Sequence, residues 1–368
     1  MNNEKNSYKP DWTPENAGKE FAVHIVKGVE QTQAAKNNNT KSSIYLIDDF
    51  VDGVISNNRT LLAKTITLIE SNSEKHFDLA HKVLKKLLPH SGKSIRVGIT
   101  GVPGAGKSTF IETLGMQLIK QGYKVAVLTV DPSSSITRGS ILGDKTRMEK
   151  LSREPNCFIR PSPSGGALGG VARKSRETII VCEAAGYDVI LIETVGVGQN
   201  EITVRSMVDF FLLIMIAGAG DELQGIKRGV IEIADALLIN KADGENQKKA
   251  EIARAEFAHA LHYLKPTTEG WETPVKTCSA LSGEGIEDAW HMINKYIELT
   301  KSSQIFEQRR KEQSVEWVYR LIEEELRNDF YNNENVKTIL PGIKEDLFNG
   351  NILAIEAVKI LLSTFSNN

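Results

Sequence analysis

The sequence predicts a doubly wound, mostly parallel α/β sheet with helical additions at both ends, and three observations predict it. Short, nearly continuous apolar runs alternate with longer amphipathic stretches in the middle of the chain, as expected for strands covered by helices on both faces. A glycine-rich turn, "GVPGAGKST", joins the first of these runs to an amphipathic stretch. The polar motifs fall just after apolar runs, where the carboxyl ends of parallel strands open a crevice for a ligand.

Taken in order, residues 1–43 form a polar N-terminal segment. Its first twelve residues read as disordered. Thr13 as a cap and Pro14 in the first turn then start a short docking helix carrying Phe21, Ile25 and Val29, before the linker "TQAAKNNNTKSS". Residues 44–92 are read as a helical extension of two or three helices, from the spacing in "LLAKTITLIES" and "HFDLAHKVLKKLLPH". Residues 93–300 hold the core domain, with strands at "IRVGIT", "KVAVLTVD", "CFIRP", "YDVILIET", "DFFLLIMIA", "ADALLINKAD" and "PVKTCSAL". Beyond Gly285 the pattern is helical, and residues 301–368 form a C-terminal helical region. Its face of Trp317, Tyr319, Leu321, Ile322 and Leu326 either packs on its own domain or pairs with another subunit.

Composition excludes several classes of partner. Lys+Arg 45 against Asp+Glu 47 gives a net charge of -2, so no global field points to nucleic acid or a membrane surface. Three well-separated cysteines, Cys157, Cys182 and Cys278, favour a reducing compartment over a disulfide framework or a structural zinc site. The N-terminus lacks an apolar signal region, and the strongest apolar run, "DFFLLIMIAGAG", has the length of a buried strand. A cytoplasmic protein without a membrane span is expected.

The turn from Gly101 through Val102, Pro103, Gly104, Ala105, Gly106, Lys107 and Ser108 to Thr109 matches G-x-x-x-x-G-K-[ST] between a strand and a helix. Its glycines let backbone N–H groups face phosphates at the positive end of the following helix. Lys107 would reach the β and γ phosphates, and the Ser108 hydroxyl would complete the shell of Mg²⁺. A later strand ends in "NKAD", where Asn240, Lys241 and Asp243 fit the N-K-x-D guanine motif. An ionised Asp243 accepts from both N1–H and the 2-amino group of guanine, which adenine cannot offer. "CSALSGEG" then supplies Ser279, Ala280 and Leu281, where backbone contacts to the guanine oxygen are expected. In this order, at successive strand ends, the motifs describe a GTP/GDP site.

Two further segments bear on the metal and the γ-phosphate. Asp131 ends the second strand and Asp144 follows in "GSILGDKTRM"; both are candidate Mg²⁺ ligands, and both also suit a turn or a solvated loop. "IETVGVGQNE" ends the fourth strand in Glu193, where many small GTPases use aspartate, and Gly196 offers its N–H to a γ-phosphate. Val197 follows Gly196, so the water-orienting glutamine is missing from its common place, and Gln199 would have to swing inward.

"GITGVPGAGKST", "DPSSS", "GSILGDKTRM", "GGVARKSRE", "IETVGVGQNE", "AGAGDELQGIKRG" and "NKAD" together resemble the MeaB/ArgK family of P-loop GTPases, from about Ile44 to Leu326. These are G-protein chaperones of adenosylcobalamin-dependent methylmalonyl-CoA mutase. The resemblance implies a homodimer with a C-terminal dimerisation arm, in which GTP binding and hydrolysis gate cofactor loading and protect or reactivate the mutase. It implies that Asp131, Asp144 and Glu193 form the carboxylate set around the metal, and that Lys227 moves toward the active site when the mutase binds. Hydrolysis without a well-placed glutamine or arginine finger should be slow, on the order of 10⁻⁴ to 10⁻² s⁻¹, until a partner accelerates it. Competing readings are a nickel-type metal-insertion GTPase, which would need clustered thiolate or imidazole ligands beyond the lone pair His259 and His262, and a kinase serving amino-acid transport.

Overall fold

A computed structural model describes residues 45–71, 73–130, 148–161, 168–194, 201–218 and 228–366. The chain divides into Met1–Ile44, which lies outside the described residues together with the expected docking helix, and Tyr45–Asn368.

Among the described residues seven strands form one sheet: β1 (Ile95–Gly101), β2 (Val125–Val130), β3 (Cys157–Pro161), β4 (Val189–Thr194), β5 (Phe210–Ile216), β6 (Ala236–Asn240) and β7 (Val275–Thr277). Their spatial order is β3-β2-β4-β1-β5-β6-β7. Every neighbouring pair is parallel, and each expected strand is present. The chain winds to one side of β1 through β2, β3 and β4, then crosses to the other side with β5, β6 and β7. That reversal opens a crevice at the carboxyl end of β1.

The apolar runs are continuous because the sheet is buried on both faces. In β4, Val189 and Leu191 enter one core while Ile190 and Ile192 enter the other. The first core holds Phe110, Ile111, Leu114 and Leu118 of helix Lys107–Lys120, with Ile286, Trp290 and Ile293 of helix Ile286–Ser302. The second takes in three α-helices ahead of β1 among the described residues, Ile47–Ile55, Arg59–Glu70 and Glu74–Leu87, through Val54, Leu62, Ile66 and Val83. The helical extension is therefore a packed cover for one face of the sheet. Asn58 starts its middle helix, accepting from the N–H groups of Thr60 and Leu61.

After helix Ile286–Ser302 comes the long helix Ile305–Asn332. Its first turns are bound to the sheet: Arg310 donates to both Asp209 carboxylate oxygens at 2.7 Å and to the Gly92 and Ser94 carbonyls. Trp317 packs against the second core, whereas Val315, Val318, Tyr319, Ile322 and Leu326 are exposed. Helices Glu334–Phe348 and Ala354–Ser366 follow, and Phe365 lies 5.4 Å, centroid to centroid, from Phe330. Among the described residues no helix is long and apolar enough to cross a membrane.

Candidate functional site

β1 runs straight into the phosphate loop, and two glycines carry the turn. Gly101 has φ 150°, and a Cβ there would sit 2.0 Å from the Ile214 carbonyl oxygen on the neighbouring strand. Gly106 has φ 86° at the position capping helix Lys107–Lys120, and a Cβ there would lie 2.7 Å from Asn240 Nδ2. Only glycine meets both demands, a left-handed backbone and no side chain against a close neighbour.

Lys107 opens that helix and is buried. Its Nζ donates to the carbonyls of Gly101 at 3.0 Å and Val102 at 3.2 Å, so the ammonium is folded back over its own loop. The next residue, Ser108, donates from Oγ to Glu193 Oε1 at 3.0 Å. Glu193 sits near the end of β4, level with Ile99 of β1 and Thr129 of β2, and is 5% exposed. One residue on, the buried Thr194 hydroxyl donates to Thr100 Oγ1 at 2.8 Å, joining the ends of β4 and β1 behind the loop.

Across the crevice, Asn240 ends β6 and holds three elements at once. Its Nδ2 donates to the Ala105 carbonyl of the phosphate loop at 2.7 Å, and its Oδ1 accepts from the Ala280 N–H at 2.9 Å and from Cys278 Sγ at 3.6 Å. The second strand-end loop is latched to the first by Ala242 N–H donating to the Cys278 carbonyl at 3.0 Å. Asp243 Oδ2 accepts from Ser279 Oγ at 2.5 Å, which fixes the plane of that carboxylate. Lys241 is exposed with φ 61°, and Leu281 is 85% exposed.

The structure thus gathers the phosphate loop, Ser108, Glu193, Asn240, Asp243 and Ser279–Leu281 at one end of the sheet. Asp131, Asp144, Gly196, Gln199 and Lys227 lie outside the described residues; Val130 and Thr194, the strand ends before two of these stretches, are in place. The sequence marks Thr194 only as part of the strand end that reaches the phosphates, and it passes over Thr100, Thr113 and Cys278, which with Thr194 brace the site from behind. A threonine on a strand or helix carries no pattern that marks it, and Cys278 stands out only for preceding the "SAL" motif.

Of the cysteines and the pair His259 and His262, Cys278 alone touches the site, through Asn240 Oδ1. The three cysteines are free and buried, and burial pushes the thiols of Cys157 and Cys278 up to about 12 and that of Cys182 higher still. His259 and His262 each meet the ring of Tyr263 edge-on. No group of three or more His, Cys, Asp and Glu residues that could hold a metal ion occurs among the described residues.

Comparison with known proteins agrees with this geometry. A family model described as "Methylmalonyl Co-A mutase-associated GTPase MeaB" matches residues 62–335. GTPase ArgK of Escherichia coli is 50% identical over 277 residues, covering 75% of this chain and 84% of its own. The mitochondrial methylmalonic aciduria type A homolog of Mus musculus is 42% identical over 331 residues, covering 87% and 80%. A crystal structure described as a LAO/AO transport system kinase matches with a TM-score of 0.72 at 38% identity, covering 88% of this chain and 98% of that one. With a family match this long and relatives alike over most of both chains, the protein is a GTP-binding GTP hydrolase and belongs to the MeaB family of methylmalonyl-CoA mutase-associated GTPases.

Proposed function

We propose that this GTPase is the G-protein chaperone of an adenosylcobalamin-dependent acyl-CoA mutase, with methylmalonyl-CoA mutase as its partner, and that it works as a homodimer. The observation that carries this reading is the family match across residues 62–335, which spans the phosphate loop, the base motif and the segments between them. GTP binding and hydrolysis would gate cofactor loading and protect or reactivate the mutase. The exposed apolar face of helix Ile305–Asn332 supports the homodimer.

The roles of individual residues follow from their chemistry. Loop N–H groups at the start of helix Lys107–Lys120 receive the phosphates, and Lys107 exchanges its carbonyl partners for β and γ phosphate oxygens. Asp243, oriented by Ser279, reads N1–H and the 2-amino group of guanine, while Ala280 and Leu281 face its oxygen. The Ser108 hydroxyl and the Glu193 carboxylate, 3.0 Å apart, are hard oxygen donors of the type Mg²⁺ takes, with Asp131 and Asp144 as further ligands. When bound, Mg²⁺ supplies charge neutralisation at the β and γ phosphates. Water attacks the γ-phosphorus in line as the bond to the β–γ bridging oxygen breaks, with Lys107 and the Gly196 N–H holding the negative charge. Gln199 and Lys227 are assigned to the partner-completed form of the site.

The test is the GTP hydrolysis rate with and without cobalamin-dependent acyl-CoA mutases. The cognate mutase should form a complex and accelerate hydrolysis, by about tenfold or more if it completes the site as other GTPase activators do. No complex and no acceleration with any such mutase removes the chaperone reading and leaves the GTPase.

A further inference from the structure

The helix that receives the phosphates also touches the loop that reads the base. Thr113 Oγ1 donates to the Ala280 carbonyl at 2.7 Å. Ala280 is 3% exposed, so water cannot readily replace that donor. On its other side the Ala280 N–H donates to Asn240 Oδ1, and Asn240 Nδ2 donates to Ala105, just ahead of the helix that carries Thr113. The bonds close a ring: phosphate-loop helix, base loop, Asn240, phosphate loop, and back to the helix.

The geometry points to Thr113 as a positioning residue for guanine recognition, acting through the Ala280–Leu281 peptide. A trans peptide is planar, with its C=O and N–H directed oppositely. Fixing the Ala280 carbonyl against Thr113 therefore fixes the direction of the Leu281 N–H as well. Leu281 is 85% exposed as a residue and gives this peptide little packing of its own. The Thr113 bond thus sets the direction of the Leu281 N–H, the donor presented to the 6-oxygen of the purine, the atom that separates guanine and hypoxanthine from adenine. Asp243 and Ser279 govern the other edge, at N1–H and the 2-amino group.

This inference rests on residues 278–281 being the base loop, and the experiment separates the two claims. Dissociation constants are measured for GDP and for IDP, which keeps the 6-oxygen and lacks the 2-amino group. The inhibition constant of inorganic tripolyphosphate against GTP hydrolysis reports the phosphate subsite alone. Thr113→Val keeps the shape, removes the donor and leaves a buried carbonyl unpaired. It should weaken GDP and IDP equally, by about five- to fiftyfold, leave tripolyphosphate unchanged, and be largely rescued by Thr113→Ser. Wild-type GDP affinity, unequal losses for GDP and IDP, an equal loss for tripolyphosphate, or failure of Thr113→Ser to rescue would each overturn the role of Thr113. Asp243→Asn should shift preference toward xanthosine diphosphate; if it keeps the guanine preference, the base pocket that Asp243 shares with Ser279, and with it the base-loop assignment, falls.

Discussion

At Gly106 the two halves of the candidate nucleotide site are packed together, since the space above its α-carbon is filled by the Asn240 amide that bonds Ala105. An alanine there would need a left-handed backbone and would press its Cβ to 2.7 Å from Asn240 Nδ2. The amide can yield only by releasing the Ala105 carbonyl, so strain and a lost hydrogen bond add, at about 1 kcal/mol each. Gly106→Ala should therefore fold, with a modestly lower melting temperature, and bind GDP at least about tenfold more weakly by titration; wild-type affinity would show that the Asn240 contact does not shape the loop. The motif residues of this site were legible because phosphate and guanine chemistry impose fixed types at fixed spacings, as in "GKS" and "NKAD". The braces behind them were not. Thr113 reaches Ala280 across 167 residues, and nothing local to either position announces the partner.

Helix Ile305–Asn332 shows the same limit one level up. Its opening "IFEQRRKEQ" is dense in charge, yet the Arg310 side chain is only 16% exposed and tied to Asp209, while Arg309 donates to Thr268 Oγ1 at 2.7 Å and also bonds the Tyr296 hydroxyl. Gln313 adds a 2.8 Å bond from Nε2 to the Val208 carbonyl. Charge runs mark surfaces only when nothing buried answers them. Here Asp209, with its side chain 2% exposed just ahead of β5, answers. Arg310→Ala would leave that carboxylate with the Arg96 N–H alone among these donors, at a cost of about 3 kcal/mol. The expected outcome is a lower denaturant midpoint with little change in slope, because the same surface still unfolds. An unchanged midpoint would mean that the helix is held by its apolar contacts. Strands and amphipathic helices were legible from periodicity; helix Glu334–Phe348 was covered only by a general helical reading, because Pro341 and Gly342 look like a break, though the helix runs through them.

At the scale of the molecule, the anchor and the nucleotide site occupy opposite ends of the sheet. Arg310 grips Gly92, Ser94 and Asp209, which precede β1 and β5, whereas the phosphate loop and Asn240 lie at carboxyl ends. Beyond Gln313 the helix turns an apolar seam outward: Val315, Tyr319, Ile322 and Leu326 are 55%, 63%, 49% and 57% exposed. Steps of four, three and four residues are those of a coiled-coil seam, and they keep these side chains on one face. An apolar seam of this length is costly in water, and a second copy of the same helix is the occupant that the homodimer proposal supplies. Replacing Ile322 and Leu326 together with glutamate places like charges in both copies of the seam. Analytical ultracentrifugation should then show a dimer for the parent protein and a monomer for the variant. Basal GTP hydrolysis should persist, because neither residue contacts the strand ends that carry the phosphate loop and Asn240. A variant that stays dimeric would move the interface off this seam, and a parent protein that sediments as a monomer would remove the homodimer altogether.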